Sequence, residues 1–228
     1  MPVEQSRIAW GKEPAPLWQH IAPRFTNEED CFASFLAYET AEVIDGVKPG
    51  NLINLSDRCQ PCGRNMFRLW EKHGRAMLEP TGLELRVLRK RQNNLLLFVF
   101  RRSALSDLIE RRPVRALLRT AGYPATIDLD AILDELGSRL AEGSFPHEIG
   151  LFLGYPLKDV AAFMGLASIP FACQGPWKIY GNPQKSLHVA ESHRNSRCRM
   201  ARRLARTIHP QLCLLNRPPR HRATIFAA

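Results

Sequence analysis

The chain predicts an α+β fold in which a small, mostly antiparallel sheet with a central hairpin is packed by several helices. Three observations predict it. "LELRVLRKRQ" alternates apolar and polar residues, Asn93-Asn94 supplies a turn, and "LLLFVF" follows, which is the pattern of a hairpin. Stretches with apolar residues three and four apart flank that hairpin on both sides. A long arginine-rich helical pattern closes the chain, from Pro183 to about Ile208.

Taken in order, residues 1–25 read as a proline-punctuated extension and 26–208 as one domain. Residues 209–228 read as a basic tail expected to be disordered. Thr26 with Glu29 three residues later forms a capping box, and Phe32, Phe35, Leu36 and Val43 continue a helix that Gly46 and Pro49 stop. "NLINL" (51–55) predicts a short strand. Ser56 or Asp57 can cap a second helix bearing Met66, Leu69, Trp70, His73 and Met77 on one stripe. The first hairpin strand is half polar. The second is apolar on both faces, which predicts a central strand covered by helices. Short helices follow at 103–109 and 114–118. Asp128 caps another whose Leu129, Ile132, Leu133, Leu136 and Leu140 share a face. Two helical pieces split at Gly154-Tyr155-Pro156, and "WKIYG" (177–181) reads as a last strand.

A length of 228 residues with 45% hydrophobic and 24% charged side chains is globular composition. The longest apolar run, Leu95 to Phe100, is far too short to span a bilayer. The opening "MPVEQSRIAWGKEPAP" has charges and prolines where a signal peptide needs an apolar core, so a cytoplasmic location is expected. Six cysteines are too few for a disulfide scaffold. Nine of the ten net positive charges lie from Lys185 onward.

Four groups of residues point to chemistry. In "SFPHEIGLFLGYPLKDV" (144–160), Pro146 and Glu148 suit a first helical turn, and His147 is the residue that a helix start does not explain. An imidazole at a helix start can hold an anion or a haem-like ligand. A zinc protease needs a second histidine where Leu151 stands, so that chemistry is excluded. Cys59-Gln-Pro-Cys62 has thioredoxin-like spacing and, at the opening of a helix, would favour a thiolate, with Cys59 as nucleophile and Cys62 as resolving thiol. The same cysteines with Cys173, His188, His193 or Cys198 lack the paired spacing of a zinc ribbon, so no metal is expected. In the C-terminal helix, Leu187, Ala190, Ala201, Leu204 and Ile208 can pack inward. That turns Arg194, Arg199, Arg202, Arg203 and Arg206 to solvent, where they can grip phosphates of a nucleic acid without reading its sequence. In "CQGPWKIYG", Lys178 and Tyr180 share one strand face and can line a cleft.

The phrases "FPHEIGLFLGYPLKDV" and "FACQGPWKIYG", with "LELRVLRKR" and "LLLFVFRRSAL" before them, resemble an uncharacterised bacterial family, domain of unknown function 3793. The resemblance runs from about Glu29 to Arg206. It is carried by Phe145 to Pro156, Asp159, Val160, Cys173, Gly175, Trp177, Lys178, Tyr180 and Gly181. Pro176 stands where many members have a cysteine, which weighs against a shared metal or thiol role for that loop. The resemblance implies no established activity. It suggests a role in redox or iron metabolism, because such genes lie near flavodoxin-like and iron-uptake genes. The leading expectation is therefore a ligand- or cofactor-binding accessory protein using His147, Glu148, Lys178 and Tyr180, the cofactor itself unspecified. Thiol–disulfide chemistry and non-specific nucleic-acid binding are the alternatives.

Overall fold

The computed structural model describes residues 15–141 and 145–215. Its centre is a three-stranded antiparallel sheet in the order β1-β3-β2, built from β1 (Gly50–Ser56), β2 (Glu84–Arg91) and β3 (Asn94–Phe100). The central place of β3 follows from its composition. Leu95, Leu97 and Val99 face one apolar cluster, while Leu96, Phe98 and Phe100 face another, so both faces must be covered.

The first cover is built around α1 (Glu28–Glu39), α2 (Ala41–Ile44), α3 (Met66–Leu69) and α4 (Arg75–Leu78). A single π turn, Trp70–Gly74, joins the last two. Phe32, Leu36, Ile44, Met66 and Trp70 are its buried centre. The single-turn 3-10 helices Trp18–His20 and Ala22–Arg24 add Trp18, Ile21 and Phe25 to the same cluster, so part of the stretch expected as an extension packs into the core. The cap of α1 is Asn27, which accepts from the Asp30 backbone N–H at 2.7 Å, rather than Thr26. Either residue can cap; the structure uses the one with an aspartate at the third position. The next cap also shifts. Asn65, not Ser56 or Asp57, opens α3, and Asp57 instead accepts from Asn65 Nδ2 (2.6 Å) and Arg68 Nε (3.1 Å).

The opposite face of the sheet is covered by α5 (Arg102–Ile109), α6 (Arg112–Thr120), α7 (Leu129–Ala141), α8 (Ile149–Phe152) and α9 (Leu157–Phe163). Asp128 caps α7 through the Asp130 N–H, as its position predicts. Helix α7 lies along β2, where Arg86 pairs with Asp130 (2.6 Å) and Asp134 (3.3 Å). A two-stranded antiparallel ribbon follows, β4 (Phe171–Gln174) with β5 (Lys178–Tyr180). Then come α10 (Gln184–Leu204) and α11 (Gln211–Leu214), whose Leu204, Cys213 and Leu214 return to the first cluster. The segment from 216 onward, where most of the expected tail falls, lies outside the described residues.

Gly50 shows how tightly the second cluster abuts the sheet. A Cβ there would stand 2.2 Å from Cζ of Phe98, whose ring stacks on Phe100 at 5.3 Å. Gly50→Ala is expected to cost about 1–3 kcal/mol by overpacking, read as a lowered urea midpoint with an unchanged slope.

Candidate functional site

The family-like phrases converge on one buried carboxylate. Asp159, in the first turn of α9, is 1% exposed. Its Oδ2 accepts from Trp177 Nε1 (2.9 Å) and Ser186 Oγ (2.6 Å). Its Oδ1 accepts from the Tyr180 backbone N–H (2.9 Å) and Lys158 Nζ (2.8 Å). Lys158 also donates to the Tyr180 carbonyl. Helix α9, strand β5 and helix α10 are therefore tied at one point, and the ring of Trp177 is fixed well enough to stack on Tyr155 at 4.3 Å. Tyr155 follows Gly154, which sits at φ +76° against Pro49.

Above that knot lies an outward face. The rings of His147 and Phe163 meet edge to face at 4.7 Å, and Lys178 Nζ stands 5.4 Å from the centre of the same Phe163 ring. Phe163 is 42% exposed. Tyr180, on the same strand face as Lys178, meets Phe171 edge to face at 6.0 Å. His147, Lys178 and Tyr180 thus share a neighbourhood, with Phe163 and Phe171 between and beside them. Glu148 points the other way. It is buried, and Arg139 Nη1 reaches its Oε1 at 3.3 Å, so it anchors the turn that presents His147. Beside it, burial and then the Glu148 charge hold the Tyr123 hydroxyl well above the usual phenol range.

A second polar centre is buried between the N-terminal helices and α10. Arg197 Nε donates to Glu42 Oε1 at 2.6 Å and lies 3.8 Å from Glu39. Lys48 Nζ donates to Asn51 Oδ1 at 2.6 Å, and burial pushes its ammonium down to about 8. His193 Nε2 lies 3.2 Å from the Val47 carbonyl, and burial, followed by the Lys48 charge, pushes the imidazole down to about 3. The Glu42 Oε2 atom is buried without a hydrogen-bond partner. This centre clamps α10 to α1 and α2.

The remaining candidates are placed differently from the expectation. Cys59 and Cys62 lie in the loop between β1 and α3, ahead of the Asn65 cap, so no helix opens at the pair. Cys59 is exposed. Cys62 packs toward the core beside Cys31, whose thiol burial pushes up to about 11. Helix α10 ends at Leu204, so Ile208 lies beyond it and is exposed rather than inward, while His193, Ser196 and Met200 on the helix are buried. Arg197 is engaged as above, Arg194 pairs with Glu191 at 3.6 Å, and Arg199 Nη2 reaches Asp45 at 2.5 Å. The last turn carries exposed Arg202 beside Arg203, with exposed Arg206 just beyond it. Among the described residues, no three His, Cys, Asp or Glu side chains gather to hold a metal ion. No helix of the described residues is long and apolar enough to cross a membrane.

Sequence reasoning missed Phe163, Phe171 and the centre around Glu42 and Lys48. Asp159 is visible as a motif residue, but three of its four donors come from the loop and strand around β5 and from α10, which no spacing rule connects to it.

Replacing Asp159 by Ala would strand the donors of Trp177 and Ser186 inside the protein, at an expected cost of about 3 kcal/mol or more. Chemical unfolding reads that loss, and near-ultraviolet circular dichroism reads release of the Trp177–Tyr155 stack. His193 sets an acid limit. An unfolded histidine takes up a proton near pH 6.5, whereas the folded one refuses it until about 3. Its contribution is therefore complete above pH 6.5 and falls progressively as pH drops through that window. Thermal melts of His193→Gln are expected to lose most of this acid-side slope between pH 6.5 and 4; an unchanged slope would assign it to other groups.

No curated protein and no solved structure matches the sequence. A family model, Protein of unknown function (DUF3793), matches residues 36–213, which take in the sheet, the Asp159 knot and the face above it. The chain belongs to that family.

Proposed function

We propose that the chain is a cytoplasmic ligand- or cofactor-binding accessory protein, with redox or iron metabolism as its setting. Its site is the face where His147, Phe163 and Lys178 meet. The observation that carries this reading is the convergence of an imidazole and an ammonium, far apart in the chain, on one exposed aromatic ring. The packing beneath it is tied separately, through Asp159, Trp177 and Ser186. A partly exposed ring flanked by two donors suits a ligand with a flat apolar portion and an anionic group. The flat portion rests on Phe163, and Lys178 with His147 answers the charge. Tyr180 and Phe171 lengthen the same strip. Glu148 acts as a positioning residue through Arg139.

Haem and flavin mononucleotide both combine a flat ring with an anionic group and serve as probes in absorbance titrations of protein purified without oxygen. His147→Ala and Lys178→Ala are each expected to weaken binding at least tenfold, about 1.4 kcal/mol. The thermal melt should stay put, because both side chains are exposed. Binding unchanged in His147→Ala, or absent for both probes in the parent protein, overturns the reading.

A further inference from the structure

In β2, α5, α7 and α10, several arginines are paired with carboxylates. Arg86 meets Asp130, Arg102 meets Glu84, Arg139 meets Glu135, Arg197 meets Glu42 and Arg199 meets Asp45. In helix α6 all of the arginines lack such a partner. Arg112, Arg115 and Arg119 recur at the spacing of one helical face, and none of the three makes an ion pair or side-chain hydrogen bond among the described residues. Like charges three and four residues apart repel, so the bare helix carries a strain that an anion would relieve. The opposite face of α6 buries Val114, Leu117 and Leu118, which prevents the helix from rolling its arginines away from one another.

These three arginines wall a hollow of about 690 Å³. Its other wall is the loop before α7, where Pro124 and a 58% exposed Ile127 present apolar surface. The one carboxylate of that loop, Asp128, accepts the Asp130 N–H through Oδ1 and is not among the residues lining the hollow. The volume falls within the range of small-molecule sites, roughly 300–1,000 Å³. Guanidinium groups bind phosphate through paired N–H donors and keep their charge at any working pH. We propose that this hollow is a second binding site, for a small molecule carrying two or more phosphate groups and an apolar or ring portion. The phosphates lie along Arg112, Arg115 and Arg119, and the ring portion rests against Ile127 and Pro124.

The test is calorimetric titration of the full chain at low salt with adenosine triphosphate, inorganic tripolyphosphate and a single-stranded oligonucleotide, without added metal. Adenosine triphosphate is expected to bind, and to bind at least tenfold more weakly to the Arg112→Ala/Arg115→Ala/Arg119→Ala variant. Ile127→Ser should weaken adenosine triphosphate while leaving tripolyphosphate unchanged. Arg202→Ala/Arg206→Ala and His147→Ala should change neither, which separates this site from the C-terminal helix and from the His147 face. All these substitutions are on exposed or half-exposed side chains, so thermal melts of the variants should match the parent. Failure of both phosphate compounds to bind at millimolar concentration overturns the proposal, as does equal affinity in the triple variant. Binding of the oligonucleotide alone overturns it in favour of a nucleic-acid surface.

Discussion

A carboxylate with 1% of its surface exposed is tolerable only where donors replace the water it has lost, and Asp159 has four. They arrive from its own helix, from the loop and strand around β5, and from the first turn of α10. Two of them, the Trp177 indole and the Tyr180 backbone, bracket Lys178 along the chain. Fixing both ends fixes the strand between them, so the position of the Lys178 ammonium over Phe163 follows from a buried anion that never reaches the surface. The outward face thus inherits its geometry from the knot beneath it. Phe163 closes the same short helix whose first turn holds Asp159, and both sides of the face are referred to one point.

The sheet and its covers were largely legible. Strand β3 has no polar face to offer, so two helical layers had to exist, and the apolar spacing of 129–140 placed one of the helices. What was not legible has a common physical cause: the chain carries several residues equally able to do one local job. Thr26 and Asn27 are both cap-competent, and only tertiary placement of the following turn selects Asn27. The same holds for Ser56, Asp57 and Asn65. Strand β4 is four residues with a cysteine and a glutamine, too short for alternation to register, and it exists because β5 pairs with it.

The candidate site was half legible for a related reason. His147 stood out because a helix start did not account for it, and Lys178 and Tyr180 because strand alternation put them on one face. Phe163 carried no signal, since an aromatic residue at the end of an apolar helix reads as core. Its exposure depends on α9 being only two turns long and ending at Met164 and Gly165. Glu148 was read with His147 because the two are adjacent. Adjacent residues on a turn point in different directions, and here one faces Arg139 inside while the other faces the ring outside.

Charge was the least transferable inference. A helix dense in arginine reads as solvent-facing until its partners are known, and the partners of α10 lie 155 residues away in α2. Arg197 and Arg199 spend their charge on Glu42, Glu39 and Asp45, in a centre where Lys48 is itself pressed toward neutrality by burial. A buried cluster of this kind holds few net charges, because each uncompensated one costs several kcal/mol of lost hydration. The surplus of the chain must therefore be carried where carboxylates do not reach. Along α6, Arg112, Arg115 and Arg119 sit on a helix anchored from below by Val114, Leu117 and Leu118, which cannot disperse their charge by turning. Positive charge concentrated on a rigid face beside an apolar wall lowers the free energy of a phosphate-bearing ligand without any rearrangement of the protein.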